Sequence, residues 1–321
     1  MGRVGFHASH ELFPPGELLR LARSAWDAGF DAAMCSDHFH PWTERQGESG
    51  YAWAWLGAAL EATGLPFGVV CAPGQRYHPA VVAQAAATLA SMYPGRFWVA
   101  FGTGQNLNEH VTGDPWPAKP DRQARLQEAV GVVRALWAGE TVNHDGRWFR
   151  VKDATLYTRP NVPPRLLGAA ITPETAAWVG GWADGLITVA QPPDQLRRVV
   201  DAFRRGGGEG KPMALQAAVS YAADEGEALR AARLRWPVAA VDLAKNQDLA
   251  TPAEFDRATA DVAPEDLRDK LRVSSDVDRH IEWIRGDFAL GFDEVYLHHV
   301  GPDPRAFLDV FAQRVLPACR D

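Results

Sequence analysis

The sequence predicts an α/β fold of the (β/α)8 TIM-barrel type. Three observations carry this: strand-like apolar runs alternate with helical stretches almost throughout, about eight such units fit into 321 residues, and no linker or composition shift divides the chain. Residues 1–321 are therefore read as one barrel domain. A doubly wound sheet would need a glycine-rich first turn, which is absent, and a very wide sheet.

Arg3–His7 reads as the first strand, and 16–29 as a helix with Leu18, Leu19, Ala22 and Trp26 on one face. Residues 31–35 form the second strand and 52–63 a helix. Phe67–Cys71 is the third strand, followed by a helix over 79–93 with Pro79 in its first turn. Phe97–Phe101 is the fourth strand and 122–137 its helix. Asn143-His144-Asp145-Gly146 then carries the Asp-Gly signal of a hairpin, an insertion after the fourth unit. Strands resume at Arg165–Ala169, Gly185–Val189 and 212–221, with helices at 173–182, 193–205 and 225–236. Gly206-Gly207-Gly208 follows a helix, the wrong context for a phosphate loop, and reads as a flexible connection. Residues 238–264 form a second insertion, after the seventh unit. A helix at 276–290, a strand at 294–298 and a helix at 304–316 complete the order.

A formal charge of −7 and a pI near 5.8 argue against nucleic acid or an anionic membrane as partner and leave small molecules. Three scattered cysteines make neither a disulfide framework nor a thiolate metal site. No charged n-region with an apolar h-region opens the chain, and no apolar run of about 18 residues occurs, so a cytoplasmic enzyme is expected.

In a barrel, chemistry gathers at the carboxyl ends of the strands. Ser36-Asp37-His38-Phe39-His40-Pro41-Trp42 after the second strand is poor packing material and good site material. Phe101-Gly102-Thr103-Gly104-Gln105-Asn106-Leu107-Asn108 follows the fourth. After the fifth, Thr172 is suited to cap a helix with Pro173 at its first position, which turns free N–H groups toward the mouth as an anion site. His38 and His40 also have the spacing of a metal pair, so a metal-dependent hydrolase is a rival reading, though no intermediate strand end completes a ligand set. An acid–base His38 suits the aromatic surroundings better. A non-catalytic binding barrel is the third alternative, since Gly102 and Gly104 allow close approach of a flat ligand.

Together with Gly5-Phe6-His7-Ala8-Ser9-His10-Glu11 and Arg76-Tyr77-His78-Pro79, these stretches resemble the bacterial luciferase-like flavin/deazaflavin oxidoreductase superfamily, in the branch near F420-dependent glucose-6-phosphate dehydrogenase. The His-Ala-Ser-His-Glu and His-Phe-His-Pro-Trp wording is closer still to a sister group regarded as using FMN. The resemblance implies a dimeric barrel with a tricyclic cofactor across its mouth. It implies that Asp37 and His38 lie beside the ring, that His38 exchanges the substrate proton during hydride transfer, and that Trp42 steadies the intermediate. Val69, Val70, Cys71 and Ala72 match a bulged strand with a non-prolyl cis peptide against the ring. Gly102, Thr103 and Asn108 match its lining, and Ala169, Ala170, Ile171 and Thr172 the phosphate loop.

Gln105 stands where the dehydrogenase has a glutamate. The lysines that clamp the sugar phosphate have no match; Gln191 and Pro192 lie in that region, and Arg257 is the sole basic replacement. Glucose 6-phosphate is therefore not the expected substrate, and Glu11, Trp42 and Gln105 are expected to shape the substrate side. No basic groove for the acidic F420 tail is legible, which slightly favours FMN over F420 and leaves an FMN-dependent monooxygenase as the alternative activity.

Overall fold

The computed structural model describes residues 2–320. Eight parallel strands close into a barrel in the order β9-β11-β1-β2-β3-β4-β7-β8 and back to β9. They are β1 (Arg3–Ala8), β2 (Ala32–Cys35), β3 (Phe67–Cys71), β4 (Phe97–Phe101), β7 (Arg165–Ala169), β8 (Gly185–Val189), β9 (Met213–Ser220) and β11 (Glu294–His299). Both expected insertions are present. β5 (Val142–Asp145) and β6 (Arg150–Ala154) form an antiparallel hairpin after the fourth unit. After the seventh, short helical turns lead to β10 (Arg272–Val273), which pairs with the outer end of β9. No helix among the described residues is long and apolar enough to cross a membrane.

Side chains alternate between two cores, as the period of two requires. Phe67, Val69, Cys71, Phe97, Val99 and Phe101 face outward and pack with the helices, each fully buried large side chain contributing about 1.5–3 kcal/mol. Ala32, Met34, Trp98, Ala100, Leu167, Ile187, Ala214 and Tyr296 face inward. The floor is filled by two aromatics whose neighbours have no side chain. A Cβ on Gly68 would fall 1.9 Å from Trp98, and one on Gly5 2.3 Å from Tyr296. The Trp98 indole donates to the Tyr296 hydroxyl at 3.2 Å. With the floor plugged, the space above Trp98 and Tyr296 opens toward the upper end of the barrel.

Two local expectations are corrected. Trp26 is 47 % exposed; Leu18, Leu21, Ala22 and Ala25 form the buried stripe of the first helix instead. Gly206-Gly207-Gly208 is not a flexible link. The helix Pro193–Phe203 leads into a glycine turn in which Gly207 takes a φ of 105° and a Cβ on Gly206 would lie 2.0 Å from the Ala177 carbonyl. Glycine there lets two helix backbones touch.

Candidate active site

Glu11, just past β1, is buried, and both Ser9 and Ser36 donate their hydroxyls to its Oε2, at 2.6 and 2.8 Å. His38 brings Nδ1 to 3.4 Å from Glu11 Oε1, within ion-pair reach but outside hydrogen-bond alignment. Burial lowers the His38 pKa, Glu11 opposes this, and the net direction is down. Burial works to raise Glu11, yet the His38 imidazole and the Ser9 hydroxyl outweigh it and hold the carboxyl below its ordinary range. With both groups shifted down, the pair at neutral pH favours a carboxylate, accepting from two serine hydroxyls, beside a neutral imidazole. A neutral imidazole next to a fixed carboxylate is a competent proton acceptor.

Trp42 packs on His38 with centroids 4.9 Å apart and is backed by Phe255 and Trp236 at 5.3 and 6.0 Å. Trp236 in turn meets His298, and His298 meets His7, each at 4.4 Å. Sequence reasoning assigned no role to Trp236 or Phe255; both lie at or in the seventh-unit insertion, whose path no local pattern fixes. The rival metal pair does not form. His40 Nδ1 lies 3.0 Å from the Leu107 carbonyl and its ring stacks on His110, away from His38. Among the described residues no group of three His, Cys, Asp or Glu side chains could hold a metal ion.

Asp37 and Asn108 fix the loop that carries His38. Asp37 accepts from the Tyr77 hydroxyl at 2.9 Å and from Arg76 at 3.3 Å, and burial raises its pKa. Asn108 Oδ1 accepts from the Phe39 and His40 amides at 2.8 and 3.3 Å. Arg76 also stands beside buried Glu109, which accepts from the Gln75 and Arg76 amides. Arg76 and Tyr77 stand in a sequence motif that carried no role for them, and Glu109 follows directly on the motif that ends at Asn108.

The facing side of the mouth is small and smooth. Val70 and Ala169 lie on the inner core and are partly exposed. Gly102 is open enough that an added Cβ would meet only the Ala169 Cβ, at 3.5 Å. Ala72 lies near Gly104, and Thr103 and Gln105 are half-buried in the same loop. Val69 and Cys71, in contrast, point into the outer core, because strand alternation turns them away from the mouth. All peptide bonds among the described residues are trans, so the expected cis bond in this strand is corrected as well.

Thr172 caps the helix Pro173–Gly180, accepting from the Thr175 amide at 3.4 Å. The Ala170 amide is taken by the Ile187 carbonyl at 3.0 Å, which corrects its place in the anion loop. The amides of Ile171 and Thr172 meet no acceptor among the described residues, while the Ile171 carbonyl accepts from Gln191. Its own amide and the Thr172 hydroxyl hold the Glu174 carboxyl below its ordinary range. Arg257 is exposed on the helix Pro252–Ala258.

A family model described as luciferase-like monooxygenase matches residues 1–294. The F420-dependent glucose-6-phosphate dehydrogenase of Beutenbergia cavernae is 36 % identical over 330 residues, covering 100 % of this chain and 98 % of its own. An F420-dependent secondary alcohol dehydrogenase, solved with an F420-acetone adduct, superimposes with a TM-score of 0.93 at 33 % identity, over 100 % of this chain and 99 % of its own. An FMN-bound type II Baeyer-Villiger monooxygenase component from Pseudomonas putida has a TM-score of 0.73 at 17 % identity, over 99 % of this chain and 98 % of its own. That last likeness is one of fold.

Proposed function

The chain belongs to the luciferase-like monooxygenase family, and on that premise we propose that it is an F420-dependent oxidoreductase interconverting a small, uncharged secondary alcohol and its ketone. The observation that carries the reading is the open shelf of Val70, Gly102 and Ala169 facing a neutral His38 backed by Glu11. A flat ring fits against side chains this small, and the free amides of Ile171 and Thr172 suit a phosphate on its side chain.

F420, when bound, supplies a two-electron hydride acceptor or donor. His38 takes the hydroxyl proton in the oxidative direction, its Nδ1 side toward Glu11, whose charge stabilises the imidazolium that results. Trp42, Trp236 and Phe255 wall the substrate and exclude water. Gln105 sits in the mouth with no charge to donate, and Arg257 is exposed, so a sugar phosphate finds no clamp comparable to a buried basic pair.

F420 replaces FMN as the favoured cofactor of this reading. Relatives matching the full chain at about a third identity are F420 enzymes by name, whereas the FMN-bound neighbour supports the fold only. Small-molecule substrate and self-association as a homodimer belong to the same reading; sedimentation equilibrium tests the second. The function itself is tested by following F420 absorbance with purified protein and either 2-propanol or glucose 6-phosphate. Bleaching with the alcohol supports the reading. Bleaching with the sugar phosphate alone, or no change with either, contradicts it.

A further inference from the structure

The barrel's floor carries charge that the mouth does not use. Arg3, Arg96 and Arg165, at the starts of β1, β4 and β7, surround a cavity of about 210 Å³ with Trp98, Glu294 and Tyr296. Glu294 is the one acid in that lining. Its Oε1 receives both Arg3 and Arg165, and its Oε2 the Tyr296 hydroxyl. Each of the two guanidiniums makes this contact through Nη2 alone, which engages one of its two donor forks and leaves the other, Nε–Nη2 or Nη1–Nη2, for another acceptor. Arg96 holds the Leu60, Thr63 and Leu65 carbonyls through Nη2, while its Nε is buried with no acceptor among the described residues.

Three guanidiniums against one carboxylate give the lining a formal excess of two positive charges. Burial and the nearby Arg3 lower the Arg165 pKa, although Tyr296, Asp293 and Asp184 act the other way. Those two aspartates lie outside the cavity lining, each accepting from a backbone amide, Met213 and Leu166 respectively. Arg3 and Arg165 have side chains 43 % and 42 % exposed, so a solute reaches them from below.

We propose that this floor cavity binds a tetrahedral oxyanion of the phosphate or sulfate class, at a site separate from the catalytic mouth. Forked guanidinium edges match such an ion with paired hydrogen bonds, and the volume admits it with several waters, each occupying about 30 Å³. The bound ion relieves the repulsion between Arg3 and Arg165 and ties β1 to β7 across the floor.

Thermal unfolding of the full chain at constant ionic strength, with chloride replaced stepwise by inorganic phosphate or sulfate, tests this. A saturable rise in Tm is expected. Arg165→Gln should weaken the apparent affinity by about tenfold or more, as loss of a charged hydrogen-bonding partner does. Arg165→Lys keeps the charge, removes the fork, and should weaken it several-fold even if Arg165→Gln does not fold. Glu294→Gln should tighten it, and F420 affinity should be unchanged in all three variants. Glycerol phosphate in parallel identifies the source: stabilisation equal to phosphate points to an ester, none to the free ion. A Tm no higher than in chloride, or equal stabilisation of wild type and Arg165→Lys, overturns the site.

Discussion

The two halves of the barrel mouth are built from opposite materials. Along β11, β1 and β2 the upper positions carry His298, His7, Glu11, Ser36 and His38, a dense set of imidazole, hydroxyl and carboxylate groups. Along β3, β4 and β7 the equivalent positions carry Val70, Gly102 and Ala169, with hardly a polar atom among their side chains. The difference teaches a division of labour. On the proposed reading, one half moves protons and the other is left low so that a flat ring lies against it. The floor of Trp98 and Tyr296 serves both halves by closing the barrel beneath them.

Breaking the polar half should have the largest effect. His38→Ala is expected to lower kcat by about 10²–10⁴-fold, the range of a lost acid–base group, with the F420 Kd within about twofold of wild type. Steady-state kinetics and cofactor titration on the same preparation check both numbers. On the smooth half, Ala169→Leu raises a branched side chain opposite Gly102, where a Cβ added to the glycine would lie 3.5 Å from the Ala169 Cβ. F420 affinity should fall about tenfold or more, while far-UV circular dichroism and Tm stay near wild type.

Glu11→Gln sharpens the comparison, because it changes a charge and little shape. The carboxylate raises the His38 pKa against the dominant effect of burial. Its removal should therefore move the acid limb of the kcat/KM profile for alcohol oxidation to lower pH and reduce kcat by about tenfold. An acid limb that stays in place would detach Glu11 from the proton transfer. The smallest effect is on stability. Burial lowers His7 and His10 to about 4 from an ordinary 6.5. Between those values the unfolded chain binds protons that the folded one refuses, so stability declines as pH falls from about 6.5 to about 4. His10→Gln should remove up to about 1.4 kcal/mol per pH unit of that slope, measured by denaturant unfolding across the window.

Legibility in the sequence followed the range of the physics involved. Phe67–Cys71, Phe97–Phe101, Arg165–Ala169 and Gly185–Val189 have the expected strand limits, because short apolar runs between turn residues are local signals. The Asp145-Gly146 hairpin and the Thr172 cap are equally local. What misled was orientation. Val69 and Cys71 share a strand with Val70 yet face the helices, and Ala170 gives its amide to β8. Trp26 reads as core by residue type and lies at the surface. Partners brought together by the insertions, such as Trp236 and Phe255 behind Trp42, depend on a chain path that no neighbouring residue encodes.

The division of the mouth is tested most directly by equilibrium binding of F420 and of FMN to wild type, His38→Ala and Ala169→Leu, followed by quenching of tryptophan fluorescence. The expected result is tighter binding of F420 than of FMN, an affinity preserved in His38→Ala, and one lowered about tenfold or more in Ala169→Leu. Equal losses of F420 affinity in both variants, or FMN binding as tightly as F420, would contradict it.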